Sequence, residues 1–308
     1  MHSPVYLSIC ATSVGGMLMF GSPELSSMVL AAAFAIAVLG VPHGGLDHWT
    51  GKRLLADRFG DRWWAVFFPT YLFVGVAFAA GWFAIPTITV LLFFLVSAWH
   101  FGREEQLASD LDAASSRIGR LLQHAIATAV GGLVIWVPAV ARPDEMRALL
   151  GLIIPDNQAE TAFRIVAITQ AIAILLLPLA LVSVIVRLAQ SPLDCDRWVP
   201  LATTIAAVIL PILLSFSIYF CAWHSWQGLQ RLRRDESLAV GEFVRRIAPL
   251  SVAAIFGVAA VGWWMQVGVA ESLVTGHTSS SLRAVFIGLS AIAVPHLVLH
   301  ECKPEVCR

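Results

Sequence analysis

The chain has 308 residues, 58% of them hydrophobic and only 13% charged, with a mean hydropathy of +0.79. Soluble domains run nearer half apolar and a quarter charged, so this balance belongs to a membrane protein, and a net charge of zero speaks against nucleic acid as a partner. The five cysteines, Cys10, Cys195, Cys221, Cys302 and Cys307, form no C-x-x-C cluster, which speaks against a disulfide framework or a zinc knuckle.

A spanning helix needs roughly 20 apolar residues. Nine segments qualify in chain order: 5–21, 27–46, 63–85, 87–101, 118–140, 161–189, 200–223, 247–270 and 282–300. The first has no basic residues ahead of it and reads as a retained helix, not a signal peptide. Backbone amides in hydrocarbon must be satisfied within their own segment, and no β-barrel alternation is present. The expected fold is therefore all-α: one polytopic transmembrane bundle of eight to ten helices over residues 1–308.

Basic residues should mark the cytoplasmic side of the connections. They gather after segment two (Lys52, Arg53, Arg58, Arg62), after segment four (Arg103, Arg117, Arg120) and after segment seven (Arg231, Arg233, Arg234, Arg245, Arg246). Nine plain crossings would put the third group opposite the first two. The suspect is 141–200, where 161–189 is long for one span and contains Pro178, so a re-entrant, in-plane or split element is expected there. That predicts eight or ten crossings, or nine with one irregular element.

Four stretches end in histidine at that same side. His43 stands in Val41-Pro42-His43-Gly44-Gly45-Leu46-Asp47-His48, and His100 in Ala98-Trp99-His100-Phe101-Gly102-Arg103-Glu104. His224 follows Ala222-Trp223 and precedes Ser225-Trp226; His296 and His300 lie in Val294-Pro295-His296-Leu297-Val298-Leu299-His300-Glu301. Ionisable groups at membrane depth are costly and mark function by default. Neutral imidazole is the commonest metal ligand, and an all-nitrogen set suits iron, zinc or copper, not magnesium or calcium. We therefore take His43, His100, His224 and His296 as metal-ligating and catalytic candidates. His300 and His48 stand as alternatives, and Asp47, Glu104 and Glu301 as groups able to orient the ring N–H bonds. A lone histidine at a helix end more often caps or faces the interface; four stations with repeated wording outweigh that reading. His2 and His277 read as solvated, and His124 as a packing residue. Pro42 and Pro295 each free a carbonyl and bend the helix beside a candidate ligand. The flanking rings Trp99, Phe101, Phe220, Trp223 and Trp226 are candidates for an apolar substrate tunnel.

At these stations the sequence resembles the Brp/Blh family of membrane β-carotene 15,15'-dioxygenases. The matching pieces are Pro42-His43-Gly44-Gly45-Leu46-Asp47, Trp99-His100-Phe101-Gly102 with Glu104, Trp223-His224-Ser225 and Pro295-His296, in order from about residue 40 to 300. The resemblance implies an iron(II) enzyme with histidine ligation that cleaves β-carotene centrally with O2 to two molecules of retinal. The substrate would come from the bilayer through a lateral entrance, and a rhodopsin would accept the product in a bacterial-type inner membrane. One departure stands out. The family carries a further histidine four residues after that of the Trp-His-Ser motif, and here that position is Gly228. Another histidine fills the vacancy, the ion has three protein ligands, or the activity has changed.

Two other classes compete. A membrane di-metal lipid hydroxylase or desaturase would use a box such as His43-x4-His48, although such enzymes need about eight histidines with adjacent pairs. A non-catalytic carotenoid or retinal binder is the other, and Gly228 keeps it open. A transporter would want intramembrane carboxylates or inverted repeats.

Overall fold

The computed structural model describes residues 3–104, 116–154, 159–267 and 275–301, without the side chains of 261–262, 264–267 and 275–280. His2, the side chain of His277, Cys302 and Cys307 lie outside the described residues. Every described element is helical. Six helices are long and apolar enough to cross a membrane: Ser3–Phe20 (α1), the run Leu25–Arg62, Trp64–Ala84 (α4), Ala159–Gln190 (α9), Val240–Ala260 within α13 (Val240–Val267), and Ser281–Glu301 within α14 (Thr275–Glu301). Bulky apolar side chains on them stay exposed, among them Phe20, Leu30, Phe73, Leu175 and Phe256, as a lipid-facing surface requires.

The other three predicted segments are irregular. Pro86–Gly102 (α5) is a shorter apolar helix that packs antiparallel to α4. Segment 118–140 splits into Arg117–Gly131 (α6) and Leu133–Ala141 (α7), bent by 61° at Gly132. The bend brings α6 hard against α5: a Cβ on Gly102 would meet the Ala127 carbonyl oxygen at 1.9 Å, and one on Gly131 would meet the Gly102 nitrogen at 2.2 Å. Glycine is the residue that permits this approach.

Segment 200–223 is a hairpin, not a crossing. Val199–Ile209 (α10) stops at Leu210-Pro211; Ile212–Ser217 (α11) then returns and continues as a π-helical turn over Ile218–Ser225. Both arms reach the same level, because the Tyr6 hydroxyl hydrogen-bonds Thr203 (2.8 Å) while its ring lies 5.4 Å from that of Trp223. The hairpin enters and leaves by one end of the bundle, which resolves the charge conflict. Of the irregularity expected in 141–200, a split at Pro178 is not found: Pro178 lies inside one continuous 32-residue helix, and the parity change sits at Pro211. Residues 143–153 do form a separate short helix, α8 (Pro143–Ile153), buried along Met146, Leu149, Leu150 and Ile153. Counting α1, the run Leu25–Arg62, α4, the shorter α5, bent α6–α7, α9, α13 and α14 gives eight candidate crossings among the described residues, an even number.

Two more helices cover the end at which segments two, four and nine exit. Asp47–Phe59 (α3) lies there, and Arg53 binds both carboxylate oxygens of Glu236 (2.6 and 2.8 Å) just beyond Trp226–Asp235 (α12).

Candidate metal centre and its cavity

Three of the four histidine stations lie in or beside a local departure from α-geometry, while His296 sits within the continuous α14. The helix Leu25–Ala35 (α2) widens into a π turn over Ile36–Gly40 and tightens into a 3-10 turn over Val41–Gly44, carrying His43 inward. α5 ends in a π turn at Arg103 and Glu104 just after His100, and His224 lies within the π turn of 218–225. Such turns shift a side chain's direction without breaking the span, and they recur at functional sites.

The four rings lie close together, although their donor atoms fall in two groups, His296 with Asp47 and His300 and the other three with Glu104. His43 and His224 have ring centres 5.2 Å apart, as do His100 and His224; His43 and His296 are 5.0 Å apart, and His100 and His296 5.7 Å. An ion about 2.1 Å from an imidazole nitrogen would stand roughly 3.2 Å from the ring centre, spacing neighbouring rings by roughly 4.5–5.2 Å. The observed square is only slightly wider. All four rings are buried. Both ring nitrogens of His43 and Nε2 of His100 carry no hydrogen bond, although buried polar atoms are normally satisfied. These residues fit a metal ion.

Two carboxylates complete the polar interior. Asp47 accepts from His296 Nδ1 (2.8 Å to Oδ1, 2.9 Å to Oδ2), which turns the opposite nitrogen, Nε2, toward the cluster; it is itself held by the Tyr71 hydroxyl (2.7 Å). Glu104 lies on the other flank, 3.8 Å from His43 Nε2, 3.9 Å from His100 Nε2, 3.7 Å from His300 Nδ1 and 3.9 Å from Arg231. Single donor atoms of His43, His100, His224 and Glu104 all lie within 4.8 Å of one another; so do those of Asp47, His296 and His300. Glu104 therefore stands at ligand distance as well as in an orienting place.

The space beside Gly228 is occupied by the His43 ring. A Cβ there would fall 1.8 Å from His43 Cε1 and 2.2 Å from its Nδ1. No side chain, histidine included, fits at 228 while His43 keeps this position.

The alternatives separate clearly. His300 joins the Asp47 group. His48 belongs to neither group and packs edge-on to Trp49. Glu301 pairs with Arg103 (3.1 Å) away from the rings. His124 also lies in neither group.

Below the histidines opens an apolar cavity whose polar wall is formed by His43, His100, His224 and His296. Of the predicted tunnel rings, Phe101 and Phe220 line it. Trp99, Trp223 and Trp226 do not, which corrects the expectation. Trp99 lies under the Arg103 guanidinium, Trp223 packs on Tyr6, and Trp226 is part-exposed on α12. Chain neighbours of a helical residue point about 100° away from it, so flanking a ligand is weak grounds for lining its cavity. The periodic positions do better: Phe93 and Ser97 below His100, Phe216 and Phe220 below His224, Leu289 and Ile292 below His296. That i−3, i−4, i−7, i−8 spacing is present in the sequence.

A second, more open groove between α2, α13 and α14 shares Val41, Leu289 and Ile292 with the cavity wall.

The description that matches residues 34–302 is that of the β-carotene 15,15'-dioxygenase family. The chain is 24% identical over 319 residues to a probable β-carotene 15,15'-dioxygenase, Blh, of Halobacterium salinarum, covering 96% of this chain and 89% of the relative. It is 25% identical over 283 residues to a β-carotene 15,15'-dioxygenase of an uncultured marine bacterium, covering 87% and 91%. No solved structure matches it significantly.

Proposed function

The chain belongs to the β-carotene 15,15'-dioxygenase family, and from that premise we propose that it cleaves the central double bond of β-carotene or a close carotenoid with O2. The reaction is placed in a bacterial-type inner membrane, at an iron(II) ion held by His43, His100, His224 and His296. The observation that carries this reading is the square of four buried imidazoles at the polar wall of an apolar cavity. One carbon–carbon double bond is lost and two aldehyde groups form, each taking one oxygen atom of O2, so no external reductant is needed. Iron(II), when bound, supplies the activation of O2, with open coordination positions left by neutral ligands.

The chain's own residues do the rest. Asp47 fixes the tautomer of His296 and Tyr71 fixes Asp47, as buried partners of metal-ligating histidines do. His296 thereby serves as the fourth nitrogen ligand, while the space that Gly228 leaves open is taken by the His43 ring. Phe101, Phe216 and Phe220 hold the polyene by apolar contact and keep water from the reacting carbons. A carotenoid dissolved in the bilayer reaches them sideways, through the wall at Val41, Leu289 and Ile292 that faces the groove between α2 and α13. The product is retinal, and a rhodopsin is its fitting acceptor.

The test feeds β-carotene to cells making the wild type or His100→Ala. Retinal from the first and none from the second is expected; its absence from both overturns the reading. One observation favours a second reading. The Asp47–His296–His300 group adjoins the first group, with Glu104 between them, so a two-ion lipid oxygenase is the alternative. Metal analysis separates them: one iron per chain supports cleavage at a single centre, and two support the di-metal enzyme.

A further inference from the structure

The cavity is a blind arm with a built floor. Its far wall is the inner face of α8, where Met146, Leu149, Leu150 and Ile153 are buried among core side chains. The outer face of the same helix carries Asp144 and Arg147, which pair with each other.

Both ends of α8 are tied down. Near its start, Arg142 pairs with Glu145 (2.5 Å) and donates to the Ile209 carbonyl (3.2 Å), while the other Glu145 oxygen accepts from the Ile212 amide (2.7 Å). At its end, Arg283 of α14 donates to the carbonyls of Leu152 (2.9 Å) and Ile154 (3.3 Å). These bonds satisfy backbone groups that a helix end and a broken helix would otherwise leave open. A short helix pinned this way is a rigid stop, not a loop that yields to whatever presses on it.

The depth of the arm is set by the helices that run from histidine to floor. Phe286 lies ten residues before His296 on the continuous α14, roughly 15 Å of helical rise. The hydrocarbon core is about 30 Å thick, and a carotenoid is about that long. The arm thus holds half of such a molecule.

We propose that α8 is a length stop: the leading ring of the polyene rests on Leu149 and Leu150, and the distance from there to the histidines selects which double bond is cleaved. This rests on the cleavage reading and deepens it. Central cleavage becomes a consequence of arm depth and not of any recognition of the middle of the substrate.

The experiment compares two polyenes with the same ring: a symmetric carotenoid, and a one-ring polyene shortened at its open end. A stop measures from the ring, so the wild type should release the same ring-bearing aldehyde from both. Cleavage of the shorter polyene at its own midpoint overturns the proposal. Leu150→Trp raises the floor and should give a shorter ring-bearing aldehyde from the one-ring substrate. Leu149→Ala lowers it and should give a longer one. Iron content checks that the histidine end is intact in each variant. Unchanged products from iron-loaded variants also overturn it. Should the wild type cleave neither polyene, quenching of tryptophan fluorescence still reads binding. Affinity for the symmetric carotenoid should then fall at least tenfold in Leu150→Trp, and equal affinity in wild type and variant overturns the stop apart from the chemistry.

Discussion

The two ends of the cavity use ionisable residues in opposite ways. At the histidine end, four imidazoles and the carboxylates of Asp47 and Glu104 point inward, where burying them is costly. At the floor, Arg142, Glu145 and Arg283 point along or away from the cavity, and only apolar side chains of α8 face it. Closing a cavity needs no inward polar group; the floor shows that this chain closes one with leucines. The inward polar groups at the other end therefore answer a different demand, which a bound cation would meet.

Substitutions that convert one end toward the other test this contrast. The largest effect is expected from His224→Ala, which removes one corner of the square: metal content measured on purified protein should fall to background, with no retinal formed. Gly228→His should be nearly as severe. It restores a family histidine, yet the new side chain needs the space of the His43 ring, so metal binding should weaken instead of improving. Tighter metal binding in that variant would show that His43 can be displaced without loss. Asp47→Asn keeps the shape and removes the carboxylate that fixes His296, and metal affinity by competitive chelation should drop about 10–100-fold.

The floor should respond through stability and not through metal. Arg283→Leu removes one donor from each of the carbonyls of Leu152 and Ile154, a cost of about 1–3 kcal/mol in unfolding free energy, with iron content unchanged. Smallest of all, Arg53→Ala removes an exposed partner of Glu236 and should cost about 0.2–1 kcal/mol.

Much of the histidine end could be read from the residues. Each of His43, His100, His224 and His296 ends an apolar run, and runs ending at one membrane face must bring their last residues to one depth. What one sequence could not give was the rotation of each helix about its axis. The π turns at 36–40 and 218–225 set that rotation, and nothing local in Ile36–Gly40 or Ile218–Ser225 announces them. The hairpin was hidden for a related reason. Residues 200–223 are apolar throughout, and hydropathy does not distinguish one span from two short arms joined at Pro211. The basic residues after His224 did register the error, as a charge pattern that nine crossings could not satisfy. Trp99, Trp223 and Trp226 misled because nearness in sequence was taken for nearness in space, whereas the helical period pointed to Phe93, Phe216 and Leu289.

That hairpin bears on how the protein is assembled. An 11-residue helix followed by six residues of α-helix and one π turn is too short for either arm to hold a place in lipid alone, unlike the flanking α9 and α13. Its arms depend on walls supplied by α1, α2 and α7, so it docks only after those neighbours stand. His224 rides on this dependent element while the other three histidines ride on α14 and on the ends of α2 and α5. Capture of an ion at the proposed centre would then be tied to completion of the bundle, and a chain that has not finished folding would offer it at most three of the four histidines.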